Sequence, residues 1–212
     1  MEKLIGRKLN ISVFISGRGS NLLSLIKYSK IKKSKIKINL IISNNKFSKG
    51  LAFAKKNKIK NYIIDYSKKK QAEHKILEYL RKNKIDLICL AGFMKILSSD
   101  FIYRFKTPIL NIHPSLLPKY KGLNTHRRAI ENKDKFSGAT VHFVTPKLDS
   151  GKIILQKKVR ILKSDTEKTL AKKVLKIEHK LYPAAIEKIL KKVYSLKKKS
   201  NSILAFSRLS EP

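Results

Sequence analysis

The chain is short of acid, with 14 Asp and Glu standing against 50 Lys and Arg, a formal charge of +36 over 212 residues. That imbalance excludes an acidic solvating chain and makes anionic partners, nucleic acid first among them, the opening expectation. Arginine is scarce as well: the cations are lysines apart from Arg7, Arg18, Arg81, Arg104, Arg127, Arg128, Arg160 and Arg208. Base readers and phosphate clamps favour the planar arginine fork, whereas lysines scattered through nearly every segment among many Ile and Asn fit drift of an A+T-rich coding sequence. With no patch, stripe or motif to gather them, a solvated surface is favoured over a specific nucleic-acid face. A single cysteine, Cys89, excludes an intramolecular disulfide framework and a thiolate metal cluster. No run of eighteen apolar residues and no N-terminal leader pattern occur, so no membrane contact and a cytoplasmic location are expected.

What is present is a 42% hydrophobic chain, enough for a sizeable α/β core. Strand-like LNISVFI at 9–15 ends in SGRGSN and passes into the helical LLSLIKYSK. The alternation continues through IKINLIIS at 36–43, a helical FSKGLAFAKKN, a short NYIID, a helical QAEHKILEYLRKN and DLICLAGF at 86–93. Strands alternating with helices at this spacing predict a Rossmann-like α/β fold, a mostly parallel sheet with helices on both faces. The rhythm then changes: PILNIHP at 108–114, a Pro-bearing loop, a short HRRAIEN helix, and two strands at 137–145 and 152–161 that read as an antiparallel hairpin. A long amphipathic helix is predicted over 166–193, capped by Asp165 or Ser164. No linker or internal repeat divides the chain. One domain is expected over 1–195, a nucleotide- or phosphate-binding half at about 1–105 followed by a mixed-sheet half at about 106–195, with a tail at 196–212.

Two tracts carry chemistry. SGRGSN places Gly17 and Gly19 between the first strand and the first helix, where backbone amides and a helix N-terminus meet an anion and Ser20 and Asn21 add donors. It lacks the third glycine of the dinucleotide fingerprint. NIHPSLLP interrupts an apolar strand end with Asn111 and, two residues on and so on the same face, His113. An amide donor for a developing oxyanion beside an imidazole that titrates near neutrality suits acyl transfer. Asp149, in the turn KLDSG, is a carboxylate able to charge-stabilise His113 or hold a water, though such a turn is also an ordinary place for Asp. His74, His126, His142 and His179 have no metal-site spacing and are read as surface or core residues; no metal is expected.

Taken together, SGRGSN, AGFMKIL, NIHPSLLPKYKG, THRRAIE, GATVHFV, LDSGKIILQ and EHKLYP, in this order over about residues 9–190, resemble the phosphoribosylglycinamide formyltransferases, the folate-dependent transformylase family of purine biosynthesis. The resemblance implies formyl transfer from 10-formyltetrahydrofolate as cosubstrate to the amino group of phosphoribosylglycinamide, with no metal and no covalent enzyme intermediate. It implies a phosphate-binding loop at Gly19, Ser20 and Asn21, ribose contact through Glu178, and a catalytic Asn111, His113 and Asp149. It implies a folate pocket from Met94, Lys95, Ile96 and Leu97, the stretch from Thr145 to Asp149, Asn111 and, on a helix, Lys69; the second half is then the catalytic and folate half. The chain departs from its relatives at Lys95, where many carry Arg, at Lys69, which aligns with a family Arg, at Asn124, where they often carry His, and at Arg18 in the first loop. Monomer and homodimer are both compatible with this family.

Methionyl-tRNA formyltransferases share NIHPSLLP but follow their loop with GAAP and carry a C-terminal β-barrel; a folate deformylase is expected to carry an N-terminal regulatory domain. The chain length disfavours both. A basic nucleic-acid-binding module, with NIHP and LDSG as mere turns, is the reading from a different class.

Overall fold

A computed structural model of the chain describes residues 7–199, with side chains through residue 192. Its elements are β1 (Leu9–Ile15), α1 (Ser20–Ser29), β2 (Ile36–Ser43), α2 (Gly50–Lys56), β3 (Lys60–Ile63), α3 (Lys69–Lys82), β4 (Leu87–Leu90), α4 (Ser99–Phe105), β5 (Ile109–His113), α5 (Thr125–Glu131), β6 (Phe136–Phe143), β7 (Ile153–Arg160) and α6 (Glu167–Lys199). The sheet order is β3-β2-β1-β4-β5-β6-β7. It is parallel from β3 to β5 and antiparallel at β5–β6 and β6–β7. The chain leaves β1 towards one edge and returns through α3 to β4 on its other side. Such a reversal opens the crevice in which open α/β sheets bind ligands.

Alternation along the strands sends side chains into two cores. Leu9, Ile11, Val13 and Ile15 of β1, Leu110 and Ile112 of β5, and Ala139, Val141 and Phe143 of β6 pack with α1 and α6 on one face. Phe14, Ile88, Leu90 and Ile109 pack with α3 and with Phe101 of α4 on the other. A register shift between Ile11 and Ser12, paired with Ile38 and Leu40, leaves Asn39 as an extra residue in β2. Ile36 and Ile38 before it and Ile41 after it therefore all reach the first core.

Two features hold α6, one to the sheet and one to α1. The buried hydroxyl of Tyr182 lies 3.0 Å from the Leu90 carbonyl and 3.1 Å from that of Leu110, tying the helix to the ends of β4 and β5. Pro183, inside the helix, has no N–H for the carbonyl of His179. The Ser24 hydroxyl of α1 donates to that carbonyl at 2.6 Å instead.

Several expectations are corrected in detail. Helix α4 was not anticipated: its apolar content is short, and Phe101 is its one fully buried side chain. It exists because Ser98 caps the Phe101 amide at 3.0 Å while the buried Glu73 carboxylate takes the Ser98 amide at 2.8 Å and its hydroxyl. The fourth strand ends at Leu90, not Phe93, where the chain turns away at Gly92, φ 72°. Neither Asp165 nor Ser164 caps α6. The Thr166 hydroxyl accepts the Thr169 amide at 3.3 Å and the Thr169 hydroxyl accepts the Thr166 amide at 2.9 Å. Asp165 takes the Lys173 ammonium at 2.6 Å instead. Helix α6 also runs to Lys199, six residues past its predicted end at Val193 and into the expected tail, whose residues 200–212 lie outside the described residues.

Candidate active site

The outward side chains of β5 and β6 meet on the face carrying α3 and α4. Beyond Ile109, which α3 and α4 cover, the connections 114–124 and 144–152 reach the outward residues of β5, through Tyr120 and Asp149. Leu110 and Ile112 point into the first core, so Asn111 and His113 point out, and the antiparallel register sets Asn111 opposite His142 and His113 opposite Thr140. Directly opposed residues in such a pair are close enough to touch. The Asn111 Nδ2 is accordingly 3.2 Å from His142 Nε2 and 3.4 Å from Asp149 Oδ1.

Asp149 reaches this cluster from the turn after β6, with its backbone at φ 45°. Left-handed backbone is unusual for a residue with a Cβ, and Asp and Asn tolerate it best. Two residues on, Gly151 passes so close to Phe143 that a Cβ would sit 1.9 Å from its carbonyl oxygen. Glycine is therefore required, and the turn is held over the strands. Asp149 Oδ2 accepts the Gly122 amide at 2.9 Å and lies 3.4 Å from His113 Nδ1, while Oδ1 lies 3.6 Å from His142 Nε2. Lys121 donates to Ser150 at 2.6 Å, clasping the two connections together.

His113 donates from Nε2 to the carbonyl of Tyr120 at 2.8 Å, which leaves Nδ1, facing Asp149, as the nitrogen that gains and loses a proton. Tyr120 takes a left-handed φ of 57° to aim that carbonyl, a strained conformation for a bulky residue. Its hydroxyl bond to Asp134 at 2.9 Å and the Arg128 guanidinium 4.9 Å over its ring hold it there. Burial pulls the His113 pKa below the ordinary 6.5 against the upward pull of the Tyr120 carbonyl and the Asp149 charge, and His142 and Arg128 push the same way as burial. For Asp149 burial alone would raise the pKa, but the adjoining His142 ring, the Gly122 amide and the charge of His113 outweigh it and hold the carboxylate below its usual 3.8. An imidazole that stays neutral near pH 7 beside a carboxylate that stays charged is an arrangement chemically able to move a proton.

A second group lies at the start of α1. Gly19 (φ 74°) precedes the helix, and a Cβ there would stand 2.5 Å from the Cα of Gly50. Glycine alone permits this approach, which brings α2 against the loop. The helix has no side-chain cap, so its first amides lack an intrahelical partner, and half-exposed Ser20 is the first helical residue. Asn21 is turned inward: its Nδ2 donates to Glu178 of α6 at 2.6 Å, and its Oδ1 is buried without a partner. Burial raises the Glu178 pKa, opposed by the Asn21 bond and the charge of Arg18.

The third group is the connection 91–98. Met94 and Ile96 are 64% and 61% exposed and Lys95 is exposed, while Leu97 is buried in the second core. Of the four, Leu97 thus turns its side chain away from the surface. Lys69 is exposed at the start of α3. Just before it, Tyr66 packs edge-on against Phe93 at 5.6 Å, and Asp65 feels the Lys95 charge, so this helix start abuts the connection. Thr145 is half-buried, its hydroxyl bonded to the Lys147 carbonyl at 3.2 Å. Asn124 takes φ 57° immediately before α5. Sequence reasoning missed His142, the Tyr120 carbonyl and the Gly122 amide. The alternation in GATVHFV put His142 on a definite face, but nothing local gave the pairing with Asn111.

Residues 9–186 match the formyl transferase family. The chain is 40% identical over 181 residues to the phosphoribosylglycinamide formyltransferase of Escherichia coli, covering 84% of this chain and 85% of that protein. It is 41% identical over 184 residues to the human trifunctional purine biosynthetic protein adenosine-3, covering 85% of this chain but 18% of that much longer protein. The crystal structure of phosphoribosylglycinamide formyltransferase from Brucella melitensis superposes with a TM-score of 0.82 at 42% identity, covering 86% of this chain and 95% of that one. The chain belongs to the formyl transferase family, in its phosphoribosylglycinamide formyltransferase branch.

Proposed function

We propose that the protein transfers the formyl group of 10-formyltetrahydrofolate to the amino group of phosphoribosylglycinamide in purine biosynthesis. The observation that carries this reading is the convergence of Asn111, His113 and Asp149 within 3.4 Å of one another along the contacts Asn111–Asp149 and His113–Asp149. An oxyanion donor, a neutral base and a fixed carboxylate are what amine attack on a formyl carbon requires. One N–H of Asn111, now spent on a long contact to Asp149, turns to the formyl oxygen. His113 Nδ1 takes the proton of the attacking amine and returns it to the leaving nitrogen, and Asp149 stabilises the imidazolium between those events. The amine is itself the nucleophile, so the protein forms no covalent bond.

The site suits two elongated anions. Gly19, Ser20 and Asn21 with the uncapped first amides of α1 hold the phosphate of phosphoribosylglycinamide, and Glu178 accepts its ribose hydroxyls. The exposed apolar Met94 and Ile96 offer a flat ring system a surface, with Asn111 and Thr145 at its inner end and Lys95 and Lys69 as cations for its carboxylates; the backbone of Leu97 completes the wall. We propose a single catalytic domain over 1–195, made of a phosphate-binding half (1–105) and a catalytic and folate half (106–195), working in the cytoplasm as a monomer or homodimer without a metal or a specific nucleic-acid partner. No described helix is long and apolar enough to cross a membrane.

The test is to mix the protein with 10-formyltetrahydrofolate or its 5,8-dideaza analogue and follow folate absorbance with and without phosphoribosylglycinamide. Acceptor-dependent product is the expected result. Acceptor-independent release would indicate a deformylase, and no reaction by a folded protein, together with salt-steep binding of RNA or DNA, would favour the basic-module reading.

A further inference from the structure

Ser16 stands where the two ligand-binding connections of the first half meet, and every polar group it owns is engaged. Its amide donates to the carbonyl of Gly92 at 3.1 Å, and its hydroxyl accepts the amide of Met94 at 2.8 Å, so it holds the near end of the 91–98 connection twice. The same hydroxyl donates to Asn44, and the Ser16 carbonyl accepts from Asn45 Nδ2 at 3.1 Å. Gly17, the next residue and the first of the phosphate loop, has its carbonyl held by the Gly50 amide at 3.1 Å and the Ser48 hydroxyl at 2.7 Å. The far end of the 91–98 connection is fixed independently, by Glu73 on Ser98.

The residue just before the phosphate loop is therefore also the peg on which the exposed Met94–Ile96 tip hangs. Ser16 is itself buried and its side-chain bonds are partly buried, so water competes for them less than at the surface. A displacement of the Gly17–Asn21 loop on binding an anion is passed through one residue to Met94, and ordering of the tip by a ligand is passed back. Coupling of this kind is reciprocal by thermodynamic necessity.

We infer that Ser16 is a positioning residue that couples the two substrate sites, so that phosphoribosylglycinamide and the folate strengthen each other's binding through the Ser16 hydroxyl. The inference rests on the proposed assignment of those two ligands. Ser16 touches none of Asn111, His113, His142 or Asp149 among its hydrogen bonds, so its removal is expected to raise both KM values while leaving kcat within about twofold.

The decisive measurement is calorimetric titration of the full chain with phosphoribosylglycinamide and with unformylated 5,8-dideazafolate, each alone and each in the presence of a saturating amount of the other. In the unaltered protein each ligand is expected to tighten the other by about fivefold to tenfold, the same factor in both directions. In Ser16→Ala the factor is expected to fall to about one while each ligand still binds alone. Asn44→Ala, which keeps Ser16 but removes its acceptor, is expected to give an intermediate factor, and it decides the matter if Ser16→Ala does not fold. An undiminished factor in either folded variant, or no coupling in the unaltered protein, overturns the inference. Binding of neither ligand by the unaltered protein overturns the functional assignment itself, and the coupling with it.

Discussion

The two ends of the proposed site are built differently. The proposed phosphate loop is local: two glycines and one helix start supply it within five consecutive residues, Gly17 to Asn21, and its donors are mostly backbone. The catalytic cluster is assembled from β5, β6 and the connections at 114–124 and 144–152, and each of its side chains is oriented by a group distant in sequence. A local site of backbone donors tolerates substitution of its exposed side chains and acts by binding. A non-local cluster of buried ionisable groups depends on each member, so its losses should appear in turnover rather than in affinity.

The sharpest way to break that contrast is His113→Ala. Turnover is expected to fall by about 10³–10⁴-fold, the size of a lost general acid and base, with KM for both substrates little changed and the far-UV spectrum retained. Turnover within tenfold of the unaltered protein would falsify the proton-shuttle role.

Asp149→Asn comes next, with kcat lower by about 10²-fold, because the isosteric amide keeps the left-handed turn but no longer stabilises the imidazolium. A second readout gives the sign. Burial sets the His113 pKa below 6.5 and the Asp149 charge works against that shift. Removing the charge must lower the pKa further. In NMR titrations of ring-labelled histidine, the His113 midpoint is expected below 6.5 in the unaltered protein and at lower pH still in the variant; an upward move would show that Asp149 does not act on this ring.

His142→Gln probes the partner that sequence reasoning set aside. Loss of its contact to Asn111 frees the amide without unfolding the sheet, and kcat is expected to fall by about tenfold, near the value of one neutral hydrogen bond. A loss as large as that of His113→Ala would make His142 a proton carrier in its own right.

The same contrast explains what the sequence could reveal. The parallel first half was legible because hydrophobic period, β-branched runs and glycine turns are short-range signals; β1 and β2 fall where periodicity puts them, and α1 begins at Ser20, two residues before the periodic LLSLIKYSK. Asn111 and His113 were legible as a pair because alternation needs no partner strand. Helix α4 was not, since its cap is completed by Glu73 from another helix. Neither were His142 and the Tyr120 carbonyl, because the β5–β6 register and the path of the 114–124 connection are decided by packing across the sheet. Capping at Thr166 rather than Asp165 followed from a competing ion pair with Lys173, a choice between two plausible oxygens that only geometry makes.

Glu178→Gln should give the smallest effect and the most specific one. Glutamine still offers Asn21 Nδ2 an acceptor, and its new amide hydrogens face a pocket in which Asn21 Oδ1 lacks a partner. Folding stability is therefore expected to hold or rise slightly. Hydrogen bonds from ribose hydroxyls to a carboxylate are about twice as strong as those to an amide, so KM for phosphoribosylglycinamide should rise by roughly threefold to tenfold, with kcat and KM for folate unchanged. Because burial raises the Glu178 pKa above its ordinary 4.5, acidification protonates it earlier than a surface carboxylate and weakens ribose binding. KM for phosphoribosylglycinamide in the unaltered protein should consequently climb as pH falls towards that raised value, and the climb should vanish in Glu178→Gln. If the variant keeps the climb, another group near the phosphate loop is titrating and the ribose contact does not belong to Glu178.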